Sequence, residues 1–485
     1  VIASTAFRRA LCALALALPG AGASAASDRA VLVDLTTVDR AGLAALQRAP
    51  GVAWWIEAGE VLLLAGDVAT IRAVLPAGQV LADLGTVDPD QLALHARGCG
   101  DTSDRVAPGA LLIPGASYDL VRRPRAFSPV PATAPAAIAA HLGAPEWQPV
   151  ARNSTIARLH RLDRPDGAPP ADPGIVPIAD RVDGQRWFDT VSTLADFDRS
   201  SWSAQLAPAR QWIAGQFAGL GLTVSEPVFN FPPGGTPFPI ANVIGRIEGS
   251  EFPDQWLVIG GHYDSRNINN TSAGAADTPG ADDNASGCSG VIEAARAIVP
   301  FKPRRSIVFM CYAGEEQGLH GSTGHVNALL GAGDLGRVRA MLNMDMIGWS
   351  ADAGLGVIVA TRLDVGNPVD NQALVELVAD AGLTYAPALN PDFIVRSGST
   401  CCSDHMPYIN AGRPGVMSIH RGSAAAYPHY HRNTDTPANL GPFAQAIGSA
   451  IVRMNVAALA RLSGASDRIF ADDHQGAVPV PPLPL

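Results

Sequence analysis

Residues 256–265 read WLVIGGHYDS. Apolar residues run into a pair of glycines, and a histidine and an aspartate follow directly. A short apolar run closed by turn residues is the signature of a strand buried on both faces. Reactive side chains held just beyond such a strand are what an open α/β sheet collects at one edge. The same shape recurs in SIVFMCYAGEE (306–316) and in VRAMLNMDMIGW (338–349). Between and around these runs lie stretches at helical spacing: PARQWIAGQFAGLG, SGVIEAARAIVP, NQALVELVADAG and the long FAQAIGSAIVRMNVAALARL. Alternation of strand and helix over residues 183–464 predicts an α/β domain of three layers, α/β/α, with a mostly parallel central sheet.

Outward from that domain the composition changes. Residues 27–97 read strand, helix, strand-turn-strand, helix, strand, with Asp39 and Asp67 as candidate N-caps. This predicts a small α+β unit of the size and position of a pro-domain, or an accessory domain that stays attached. Residues 98–182, including RRPRAFSPVPATAPAAIAAHLGAPEWQP, are rich in proline and alanine and are expected to form a linker with one short helix. Residues 465–485 end in AVPVPPLPL, a tail that cannot form a core. Residues 1–26 have the three parts of a secretory signal: Arg8 and Arg9, the apolar residues 11–18, and the small residues Ala23, Ser24 and Ala25. The apolar stretch is short for a bilayer span, so the expected location is secreted or periplasmic, without stable membrane insertion. Export leaves Cys99, Cys288, Cys311, Cys401 and Cys402, an odd number that permits disulfides in several pairings. A net charge of −10 without a basic stripe argues against nucleic acid as a partner.

The chemistry-bearing residues come in a fixed order. His262 follows a strand, and Asp264, two residues on, points the same way and can fix the imidazole tautomer. Asp283 and its neighbour Asp282 precede Asn284, Ala285, Ser286, Gly287 and a helix; either carboxylate could be a ligand or a simple N-cap. Glu315 and Glu316 end a buried-type strand and face opposite sides, so one can bind metal while the other faces substrate. Asp345 sits in an apolar run where an unpartnered carboxylate would be costly. His431 lies in HYHRNTDT beside His429, and chemistry alone does not choose between them. Two imidazoles with three or four carboxylates suit zinc better than magnesium or calcium, and suffice for two ions sharing a carboxylate. Met346, Cys402, Met406 and Tyr408 are candidates for an apolar pocket beside the metals, with ordinary core packing the equal alternative.

As a set, GGHYDS, PGADDNASG, YAGEEQGLHGS, LNMDMIG, CSDH and HYHRNTDT resemble the secreted bacterial di-zinc aminopeptidases. These leucyl aminopeptidase-like enzymes are related to glutamate carboxypeptidase, the transferrin-receptor ectodomain and glutaminyl cyclases. The resemblance spans about residues 183–464 and implies a zinc-peptidase domain with two Zn²⁺ per chain. In the family the bridging aspartate directly precedes the Asn/Asp-x-Ser-Gly turn, which selects Asp283. It implies one ion on His262 and Asp345, the other on Glu316 and His431, and Asp283 on both. It further implies Glu315 as general base, Asp264 behind His262, Tyr430 at the substrate carbonyl, and a cis peptide after Asp283. The implied activity is hydrolysis of the N-terminal peptide bond of peptides or proteins through a water shared by the zinc ions. One alternative is a glutaminyl-cyclase-like acyltransferase, which works with one zinc and would not use both His262 and Asp345. The other is a non-catalytic receptor-like ectodomain, which predicts lost ligand positions, whereas all are present.

Overall fold

The computed structural model describes residues 28–35, 38, 40–59, 61–75, 79–96, 111–113, 118–122, 147–160, 167–231, 238–267, 277–362, 366–397, 403–421 and 427–467. Among them, thirteen strands join edge to edge in one sheet. Across it run Thr223–Ser225, Val243–Ile247, Arg305–Tyr312, Phe252–His262, Val338–Met344, Gly415–His420, Gly356–Thr361 and Asn390–Ser397. Ser154–His160, Val52–Gly59, Val61–Gly66, Asp28–Asp34 and Val80–Val87 continue it. The four strands from Arg305–Tyr312 to Gly415–His420 are mutually parallel. Antiparallel neighbours flank them on either side. The parallel character expected from continuous apolar runs thus belongs to the strands that carry the candidate site.

Alternate residues of these strands enter different cores, as a period of two requires. Leu257, Ile259, Ile307, Phe309, Leu342 and Met344 pack with residues of the helices Gly184–Ala195, Leu206–Gly219, Gly287–Ile298 and Ala444–Ser463. Val258, Val308, Met310, Tyr312 and Met341 face the opposite way, against Val326 and Leu329 of the helix His320–Ala332 and Tyr408 of Met406–Asn410. The middle layer is dry on both sides: every residue of Arg305–Tyr312 is buried. Burial at that density leaves the middle of the strand, Ile307 to Cys311, apolar and confines polar side chains to its ends.

The N-terminal elements follow the order read from sequence, with helices Arg40–Gln47 and Val68–Val74. Asp67 caps the second, accepting from the amides of Ala69 and Thr70 at 3.2 and 3.5 Å; Asp39 lies outside the described residues. One face of this part of the sheet packs Val31, Val33, Leu62 and Leu64 on Val68 and Ile71. The other face packs Leu32, Trp54, Ile56 and Leu63 on Leu94, Leu112 and Leu120.

The stretch read as a linker is more structured than its composition indicates. Leu111–Ile113, Tyr118–Arg122 and Trp147–Pro149 form a four-stranded sheet with Leu92–Ala96. Ser154–His160 pairs parallel to Val52–Gly59 and antiparallel to Asn390–Ser397, so it stitches the two parts of the chain into one sheet. Strand edges on both sides present unpaired N–H and C=O groups, and a short segment that satisfies both is recruited whatever its flanking prolines. The Pro/Ala run at 123–146, the signal segment and residues 468–485 lie outside the described residues. No helix among the described residues is long and apolar enough to cross a membrane.

Candidate metal centre

The predicted ligands converge where the parallel strands end. His262 is the last residue of its strand, Glu315 and Glu316 follow Arg305–Tyr312, and Asp345 follows Val338–Met344. Asp283 stands on the turn that opens the helix Gly287–Ile298. The backbones come close because glycine permits it. A Cβ on Gly261 would lie 2.7 Å from the Met344 carbonyl, and one on Gly280, at φ +48°, would lie 2.4 Å from the Asp283 carbonyl. The Asp283–Asn284 peptide bond is cis, as the resemblance implied.

Asp283 lies between the two imidazoles. Its Oδ1 is 3.3 Å from His262 Nε2 and its Oδ2 is 3.1 Å from His431 Nε2. Asp345 Oδ1 and Glu315 Oε2 stand 3.6 and 3.8 Å from His262 Nε2. Glu316 Oε2 stands 3.0 Å from His431 Nε2. His262, Glu315 and Asp345 thus offer ligand atoms within 4.8 Å of one another, and so do His262, Asp283 and Glu316. Asp264 is hydrogen-bonded to the His262 ring through its main chain rather than through the carboxylate that sequence suggested. Its carbonyl is 3.1 Å from His262 Nδ1, while its carboxylate accepts from the amides of Glu315 and Glu316 at 3.2 and 3.3 Å.

The ambiguities left by sequence are resolved by neighbours. Asp282 is committed elsewhere: it accepts from the Gly348 amide at 2.7 Å and meets His420 Nε2 at 2.9 Å. His429 turns outward to Thr434 Oγ1 at 2.9 Å. Tyr430 stacks on His431, ring centroids 3.7 Å apart. Of the pocket candidates, Tyr408 is buried in the core and bonded to Tyr312 and His325, at 2.8 and 2.6 Å. Met406 packs on Leu319 and Ile409, Met346 joins the main core, and Cys402 is outside the described residues. Core packing is thus the outcome for all three described residues.

Sequence reading did not single out Arg199, Ser403, His420 or Asp435. Asp435 accepts from the amides of Asp282 and Asp283 at 2.9 and 3.0 Å and from the Tyr427 hydroxyl at 2.6 Å, so it holds the bridging turn. Its carboxyl is pushed up to about 7 by burial and by Asp282. Ser403 donates to Asp345 Oδ2 at 2.5 Å. Ser403 lies in CSDH and Asp435 in HYHRNTDT, but nothing in those motifs marks their roles, which depend on segments far apart in the chain.

The electrostatics call for added positive charge. Burial holds Glu315 well above the usual carboxylate range, with Asp345 and Glu316 adding to it and His262 opposing. Burial raises Glu316 as well, and its Oε1 has no hydrogen-bond partner among the described residues. For Asp283 burial also works upward, but the two imidazoles outweigh it and hold the carboxyl low. An orphaned buried carboxylate oxygen, with four acids around two imidazoles, is a donor set that fits divalent cations. The cluster stands at the carboxyl edge of the parallel strands, where open α/β sheets place their ligand-binding and catalytic groups.

Comparison with known proteins places the chain's similarities among zinc peptidases. Residues 242–454 match the model of Peptidase family M28. A probable zinc metalloprotease of Leptosphaeria maculans is 29% identical over 318 residues, which cover 57% of this chain and 72% of that protein. One from Phaeosphaeria nodorum is 31% identical over 301 residues, covering 50% and 59%. Among solved structures, the Legionella pneumophila LapA aminopeptidase superposes with a TM-score of 0.49 at 22% identity, covering 60% of this chain and 75% of that one. A Bacillus subtilis zinc aminopeptidase gives 0.48 at 16%, covering 61% and 97%. A Fimbriiglobus ruber glutaminyl cyclase gives 0.46 at 19%, covering 57% and 94%.

Proposed function

We propose that the chain is a secreted zinc-dependent aminopeptidase that removes the N-terminal residue of peptides. The observation that carries this reading is the position of Asp283, one oxygen toward His262 and the other toward His431. In this reading His262 and Asp345 would hold one Zn²⁺, Glu316 and His431 a second, and Asp283 would be shared between them. Bound there, the ions would supply Lewis acidity for a scissile carbonyl and lower the pKa of water. Glu315 is the base: buried beside His262, it can take a proton from water and return it to the leaving amine. Tyr430, held against His431, is placed to donate to oxygen charge that develops on the substrate. Asp264 keeps the Glu315 and Glu316 amides and the His262 ring in one arrangement. A buried disulfide between Cys288 and Cys311 favours an oxidising compartment, in keeping with the signal-like residues 1–26.

The test is a panel of aminoacyl-anilides run beside N-blocked peptides, with zinc measured on the same sample. Cleavage of free-amine substrates at two zinc ions per chain is the expected result. Cleavage of blocked peptides alone would exclude an aminopeptidase.

A further inference from the structure

One short segment touches both the His262 loop and the Asp283 turn, and it lies before residues 242–454, so the family match assigns it nothing. Arg199 is fully buried. Its guanidinium donates only to main-chain carbonyls in the bonds the structure shows. Nε reaches the Tyr263 carbonyl at 2.7 Å, next to His262. Nη1 reaches Pro279 at 2.8 Å and also Leu194, and Nη2 reaches Gly280 at 2.7 Å, at the entry to the Asp283 turn. The Arg199 carbonyl accepts from the Ser265 amide at 3.0 Å. Two residues on, Ser201 Oγ donates to Asp264 Oδ2 at 3.0 Å, the carboxylate that also holds Glu315 and Glu316.

We propose that Arg199, with Ser201, is a positioning residue that sets the separation of the His262 loop from the Asp283 turn, and hence the affinity of the site for its cations. The inference rests on the peptidase reading above. A planar fork is needed because the acceptors lie on two different loops, and only a guanidinium spans them with fixed geometry. Packing alone would be served by an apolar side chain at far lower desolvation cost. Four carboxylates compensate the charge, the buried Asp435, Asp264 and Asp283 and the half-buried Asp198. Arg199 therefore also links the cationic and anionic parts of the site.

Zinc is titrated against a competing chromogenic chelator into metal-stripped wild-type chain, Arg199→Lys and Ser201→Ala. Stripped and loaded samples are also melted, and kcat and KM are measured on an aminoacyl-anilide. Lysine keeps the charge but loses the fork, so zinc affinity should fall roughly 10- to 100-fold, as for other groups behind metal ligands. Turnover should fall at nearly constant KM, and Ser201→Ala should show a smaller loss in the same direction. Arg199→Lys with wild-type zinc affinity overturns the proposal, even if it melts lower, because arginine would then serve only packing. Should Arg199→Lys fail to fold, unchanged affinity in Ser201→Ala overturns it instead. Wild-type chain that takes up no zinc would remove the peptidase reading itself, an outcome distinct from both.

Discussion

Replacing Cys288 and Cys311 together by alanine should cost stability out of proportion to the two atoms removed. The bond joins the helix that begins four residues after Asp283 to the strand that ends three residues before Glu315, with Cα atoms 5.5 Å apart. The cysteines are 23 residues apart, and closing a loop of that length removes about 3.4 kcal/mol of entropy from the unfolded chain. Both side chains are fully buried, so deleting the sulfurs adds about 1 kcal/mol for the space left behind. The expected total is about 4 kcal/mol, which for a domain of this size lowers the melting temperature by roughly 10 °C. Guanidinium unfolding of both chains, in metal-free buffer, reads the difference directly. A loss below about 1 kcal/mol would refute the reasoning, since neither loop closure nor burial could then be acting. So would peptide mapping that finds Cys288 and Cys311 themselves alkylated in the denatured, unreduced wild type.

Glu315→Gln should retain zinc yet lose about 10²- to 10⁴-fold in turnover, the usual worth of a positioned base; near-normal kcat with full metal would point to another base. Asp283→Ala should lose both ions on dialysis, and two zinc ions remaining per chain would contradict the bridging role. Burial, helped by the Arg362 charge, lowers His405 to about 3. The unfolded chain binds that proton near 6.5, so between those values the unfolded state holds more protons and stability falls as pH falls. Integrated over the window the loss is at most about 5 kcal/mol. With chelator present, His405→Leu should therefore flatten the acid limb of the stability curve. An equally steep limb in the variant would assign acid lability elsewhere.

The strand ends and the order of ligands were legible from residues alone, for a definite reason. A strand buried on both faces is apolar over most of its length, so its end is marked where polar residues gather, as at His262, Glu315 and Asp345. The N-terminal elements were legible through the same periodicity. The strands at 111–113, 118–122, 147–149 and 154–160 were not, because each is short and its pairing is decided by distant edges rather than by its own pattern. Composition there reported prolines and alanines, while the structure answered to unpaired backbone.

Residue type and order determined which side chains could bind metal, because imidazole and carboxylate chemistry is intrinsic to the residue. They could not determine which of two neighbours would do so from chemistry alone. Asp283 faces the imidazoles because Asp282 is taken by Gly348 and His420, and His431 faces inward because His429 turns to Thr434. The Cys288–Cys311 pairing, Arg199 across two loops and Asp435 beneath the turn are likewise tertiary decisions. Each depends on a distance of a few ångströms between groups tens to hundreds of residues apart, and such distances exist only once the sheet has brought its ends together.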